Sequence, residues 1–242
     1  MFDAKRLLDQ FMGGQGGGQG HQGGQGGPGD FLKGAGGGAL AGGLAAILMG
    51  SKTGRKIGGE ALKLGGMAAV GALAYKAYSD WQSGRATAQA PVPAQQPSVP
   101  MLPPPSGTPF NPSTESGQQS LARNLLRAMI AAAKADGHVD AQEQARIFAE
   151  MDKLPLSSED KAFVMDELRA KLDVDAVAAA AATPEEAAEI YTASLLSIDV
   201  DNAAERGYLA MLAARLKLDD ALVAHLQQTV ASAAGKAAQP VG

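Results

Sequence analysis

Cysteine is absent from this chain. That absence excludes disulfides, thiolate metal centres, iron–sulfur clusters and cysteine nucleophiles together. It leaves the compartment open, since a chain without thiols suits oxidising and reducing surroundings alike. Long apolar runs are also missing. The two stretches poorest in charge, 34–50 and 64–75, both fall short of the ~20 residues that a spanning helix needs. Catalytic signatures are lacking too: there is no Ser-His-Asp order, no phosphate loop and no H-E-x-x-H. The chain therefore reads as non-enzymatic.

Positive charge is scarce where a nucleic-acid-binding domain would need it. Up to residue 117, nine Lys and Arg stand against six Asp and Glu; from 118 onward, twelve stand against nineteen. Phosphate binding requires clustered positive charge, so the acidic C-terminal half is not expected to bind nucleic acid. The mildly basic N-terminal half suits a membrane surface better.

What is present divides the chain into five parts. Residues 1–33 hold a short amphipathic stretch followed by a Gly/Gln tract that cannot offset its own ordering entropy. In that stretch Leu7, Leu8, Phe11 and Met12 fall along one side, and it reads either as an interfacial helix or as a frayed terminus. The stretch is charged where the apolar region of a cleavable signal would sit, so no such signal is expected. In residues 34–82 glycine recurs at four-residue spacing, at Gly34, Gly38, Gly42, Gly50, Gly54, Gly58 and Gly66, with Ala46 filling one step. On a helix this spacing makes a small-residue seam where another backbone approaches closely. A glycine-zipper hairpin, a single span with an interfacial stretch, and a Gly-rich spacer are all open readings. The register favours membrane association and also offers a route to homo-oligomers. Tyr75, Tyr78 and Trp81 cluster as an aromatic interface belt would. Residues 83–117 are Pro-rich and read as a disordered linker. Residues 118–235 read as an all-α domain of about seven helices, and 236–242 as a disordered tail.

Helix signals in the C-terminal domain are strong. Leu121, Leu125, Met129 and Ala132 form a stripe over 118–135, beside Leu126, Ile130 and Ala133. Asp140 and Glu143 open a second helix that runs to about 152. Ser157 with Asp160 starts a third, carrying Phe163, Val164, Leu168 and Leu172. A short alanine-rich helix follows near 174–181. Thr183, Pro184 and Glu186 start another, which buries Ile190, Ser194 and Leu195. Asp201 opens the next, with Leu209, Leu212 and Leu216, and Asp219 caps the last, with Leu222, Leu226 and Val230. Met129, Met151, Met165 and Met211 fall at core spacing and read as packing residues. His138 and His225 read as solvated rather than ligating, and His21 lies in the Gly/Gln tract.

Two acidic turns break this pattern. KADGHVDAQEQARI and SIDVDNAAERG each place a carboxylate at a helix end and another in the first turn of the next helix. Caps explain Asp140, Glu143 and Glu205. They do not explain Asp136 and Asp199, because a carboxylate at a helix C-terminus opposes the helix dipole. The A-D-G-x-V-x-x-x-E turn, its acidic partner and the helical span resemble the TerB-like tellurite-resistance domain. With the Gly/Gln tract, glycine register and Pro-rich linker, the chain resembles the YebE branch of that superfamily, bacterial inner-membrane proteins of unknown function. The resemblance implies a seven-helix fold with acidic residues proposed to bind divalent metal. Those roles would fall on Asp136, Glu143, Asp199 and Glu205, with Asp201 or Asp140 nearby. The second turn lacks the Asp-Gly pair. Oxygen ligands without thiolates favour calcium, magnesium or manganese. Two functions are expected: a membrane-associated module with an acidic cation site, active in envelope or metal stress, or a membrane-anchored scaffold that docks a protein partner.

Overall fold

The computed structural model describes residues 3–13, 66–87, 104–135, 156–198 and 203–237, together with Ala145, Ile147, Phe148 and Met151. Every regular element among them is an α-helix: α1 (Ala4–Gly13), α2 (Gly66–Thr87), α3 (Glu115–Ala133), α4 (Ser158–Arg169), α5 (Val174–Ala179), α6 (Pro184–Ser197), α7 (Ala203–Arg215) and α8 (Asp220–Ala237). The all-α class is therefore the observed one.

Most helix starts follow from side chains within four residues. Ser157 and Asp160 exchange hydrogen bonds of 3.1 Å with each other's backbone N–H, closing a capping box at α4. The Asp173 carboxylate accepts from the Ala176 N–H to start α5. Thr183 accepts from the Glu186 N–H, and Pro184 occupies the first turn of α6. Asp219 accepts from the Ala221 N–H at the head of α8. α3 begins earlier than its apolar stripe suggests, because Thr114 caps it through the Gly117 N–H. A Cβ at Gly117 would stand 2.9 Å from the Thr114 hydroxyl oxygen and from Pro112, so glycine is what fits under that cap.

The core lies between α3 and α6, the most extensively paired helices, with Leu125, Leu126, Met129, Ile190 and Leu196 among its buried residues. α4 and α5 cover α3, α7 lies on α6 and α5, and α8 packs on α6. Ile147 and Met151, from the expected second helix, are also buried. Its opening residues, Asp140 and Glu143, lie outside the described residues.

α1 and α2 share this core. α1 packs on α3 and α2, burying Ala4, Leu7 and Leu8; α2 packs on α8 and α6, burying Val70, Leu73 and Ala77. The short helix is thus held by the protein rather than frayed. Its N-terminus is tied down by polar groups as well: the Asp3 N–H donates to the Asp160 carboxylate at 3.0 Å, and the Lys5 N–H donates to the Gln119 side-chain oxygen at 3.1 Å. The Met67 N–H in the first turn of α2 donates to Asp9 of α1 at 3.3 Å. Among the described residues, no helix is long and apolar enough to cross a membrane.

Three details depart from the sequence reading. Residues 104–117 were expected to be linker, yet Phe110 is buried, and its ring meets Tyr75 and Tyr78 edge-on at 5.5 and 5.6 Å. Tyr78 in turn lies 5.4 Å from Trp81, so Tyr75 and Tyr78 meet Phe110 directly while Trp81 adds to Tyr78. Prolines here stiffen a turn instead of extending it, with the Asn111 amide donating to the Pro104 carbonyl. Leu172 and Met211, expected in the core, are 38% and 45% exposed. Leu172 lies past the end of α4, where helical spacing no longer governs its direction.

Candidate functional site

The acidic turns follow α3 and α6 in sequence, so the relative direction of those helices decides whether the turns meet. Two contacts fix it. The Asn124 amide donates to the Ala180 carbonyl at 3.1 Å, and the Ser194 hydroxyl donates to the Ala128 carbonyl at 3.4 Å. Were the helices antiparallel, the start of α6 would lie ~15 Å beyond Ala128, on the side away from Asn124. Four residues span at most ~14 Å, too little to bring the chain back to Ala180 at the level of Asn124. α3 and α6 therefore advance in the same sense and finish at the same end of the core.

At that end the α3 backbone tightens, with the Lys134 and Ala135 N–H groups donating to Ala131 and Ala132. Lys134 is buried. Its ammonium donates to the Glu167 carbonyl at 2.9 Å and to the Ala170 carbonyl, meeting the open carbonyls where α4 ends. Burial pushes its pKa down, and the nearby Glu167 charge works against that. Arg127 closes the arrangement through bonds of 2.8 and 2.7 Å to the Glu167 carboxylate. A cleft of about 410 Å³ lies alongside, lined by Arg127, Lys134, Glu167, Lys171 and Asp173 among others. Of the charges lining it, Arg127 and Lys134 are engaged with Glu167 and the end of α4.

Of the six acidic residues singled out in the sequence, only Glu205 is described. It is half-buried in the first turn of α7, one turn before Tyr208, whose hydroxyl lies 3.5 Å from that of Ser194. Burial raises the Tyr208 phenol to about 12, the Ser194 contact opposing it. Glu205 thus belongs to the end of the core where α6 finishes. Asp136, Asp140, Glu143, Asp199 and Asp201 lie outside the described residues. No group of three potential ligand side chains occurs among the described residues. His225 stands on the side of α8, its Nδ1 2.8 Å from the Ala221 carbonyl.

One residue escaped the sequence reading. Glu189 on α6 is 0% exposed, and neither carboxyl oxygen has a hydrogen-bond partner. Burial, followed by the charge of Glu186, raises its pKa well above the ordinary range. The signal was available: Glu189 is the sole charged residue of the stretch 187–198, and α6 buries every residue from Ala187 to Ser197. A helix apolar on all sides offers no wet face to a carboxylate.

The family described as "Protein of unknown function (DUF533)" matches residues 34–230 of this chain. A Yersinia enterocolitica protein, described as "Uncharacterized protein in ampR 5'region", is 34% identical over 96 residues, which is 40% of this chain and 69% of that protein. No solved structure matches.

Proposed function

The chain belongs to the DUF533 family, and from that premise we propose that it is a non-enzymatic TerB-like helical module of the YebE type, resident at the bacterial inner membrane, that takes up a divalent cation where α3 and α6 finish. One observation supports this reading above the others: α3 and α6 run in the same sense, as the Asn124–Ala180 and Ser194–Ala128 contacts require. Asp136 follows Ala135 by one residue, and Asp199 follows Ile198 by one. Carboxylates at two helix C-termini oppose both dipoles, and a hard cation between them removes that conflict.

The test is thermal unfolding of the whole chain in EDTA and in millimolar calcium, magnesium, manganese or zinc. A cation that binds only the folded form adds about 2.7 kcal/mol at a hundredfold excess over Kd. Asp199→Asn abolishes the shift and raises the metal-free melting temperature by relieving repulsion. Indifference to all four cations ends the cation reading.

A scaffold function has its own support in the docking of α1 and α2, which makes α3, α6 and α8 a surface that receives apolar helices. A chain lacking residues 1–13 then binds a synthetic peptide of those residues. Failure to bind it at high micromolar concentration removes this support.

A further inference from the structure

The carboxyl of Glu189 is enclosed by two elements that are not its own. An ideal Cβ at Gly71 of α2 would stand 3.2 Å from Glu189 Oε1, 3.0 Å from the Phe110 carbonyl oxygen and 3.3 Å from Pro104. Gly71 therefore lies directly over the carboxyl, and the 104–112 segment closes the side. Phe110 holds that segment to α2 through Tyr75 and Tyr78. Lifting α2 is thus what would bring water to Glu189.

The groups around it are neutral or negative. Glu186, one turn earlier on α6, is the charge that acts on Glu189. Glu185 acts on Tyr78 of α2, whose phenol is raised first by burial and then by that carboxylate. Lys76 of α2 is committed to Asp80 at 2.6 Å on a half-exposed side. The 104–112 segment carries no titratable side chain. The hydrogen bonds that α3, α7 and α8 make to α6 reach Ser194 and Tyr191, and none reaches the Glu189 carboxyl. A carboxylate ion in such a place is wholly buried, lacks a protein donor and faces a second carboxylate, so the stable form is the protonated acid.

We propose that α2 is a proton-gated strap: it lies on α6 while the Glu189 carboxyl holds its proton, and loss of that proton releases it. The direction follows from linkage. A buried acid titrates above its ordinary value of 4.5, so below that value docking is at full strength and independent of pH. Above it, each pH unit weakens docking by up to about tenfold, until the docked carboxyl itself ionises. Release exposes Val70, Leu73 and Ala77, the face now buried in the core.

The chain carries its own reporter, because its single tryptophan is Trp81 of α2. The experiment follows Trp81 emission and the amide exchange of residues 67–77 in the whole protein from pH 5 to pH 9, exchange being corrected for its intrinsic pH dependence. Wild type should lose protection of 67–77 by up to tenfold per pH unit while its emission shifts red. Glu189→Gln, and independently the apolar Glu189→Met, should hold both readouts constant. The same pH profile in a folded variant would assign the transition to another group and overturn the proposal. Flat protection in the wild type overturns it without any variant.

Discussion

Gln119 on α3 and Asp3 at the head of α1, 116 positions apart, are joined by a 2.8 Å hydrogen bond. The same amide takes the Lys5 N–H on its oxygen, so one side chain grips the first turn of α1 from both sides. Replacing it by alanine removes both bonds and should cost about 1–3 kcal/mol. For a protein of this size the melting temperature then drops by about 2–4 °C per kcal/mol. Trypsin cleavage after Lys5 and Arg6 should accelerate in parallel. A variant as stable and as resistant as wild type would show that the apolar face of α1 docks it unaided.

Asp3 also sets an acid limit. Burial alone would raise its pKa, but the Arg6 N–H, the Gln119 amide and the charges of Arg6 and Lys5 outweigh it, and the net shift is downward from 3.8. A depressed carboxyl adds stability that is present above 3.8 and is lost as pH falls through the folded value. Asp3→Asn keeps a competent helix cap but loses the charge-dependent part, so neutral stability should fall modestly. Its denaturant midpoint should decline less steeply than wild type between pH 5 and pH 2. Equal slopes would remove Asp3 from the acid limb.

Two glycines make a matched pair. Gly71→Ala drives a methyl against the Phe110 carbonyl and the Glu189 carboxyl, and such overpacking costs about 1–3 kcal/mol. Gly207 lies inside α7 with nothing within 4 Å of its added Cβ. Gly207→Ala should therefore stabilise, by up to about 1 kcal/mol. Chemical denaturation of both variants checks the pair, and like signs would contradict the packing described for α2.

At the end of α7, Lys217 adopts a left-handed conformation with φ 55°, while the Leu218 N–H reaches back to the Ala213 carbonyl at 3.1 Å. Glycine takes that conformation without the cost a Cβ imposes. Lys217→Gly should raise stability by about 1 kcal/mol. A lower melting temperature would mean that the lysine side chain contributes more than its backbone conformation costs.

The sequence disclosed those parts of the fold whose causes are local. Ser157 with Asp160, Thr183 with Pro184 and Glu186, and Asp219 announce their helices because a cap acts over three or four residues. α2 was legible as a helix-forming stretch with small residues, but not in its destination. Small residues admit a neighbouring backbone whether that neighbour lies in lipid or in a protein core. The glycine that makes the observed approach, Gly71, lies outside the four-residue register, and the carboxyl it covers is far along the chain. The acidic turns were visible by spacing. That α3 and α6 finish together became visible only through contacts such as Asn124 with Ala180, 56 positions apart.

The bond from the Asp3 N–H to Asp160 also sets an order of events during synthesis. A ribosome releases chain at about 5–20 residues per second, so Asp3 waits about 8–30 s before the capping box of α4 exists to receive it. Through that interval Leu7 and Leu8 have no completed core to enter. α1 is made well before the capping box that holds its N-terminus, and until then its apolar side is open to chaperones.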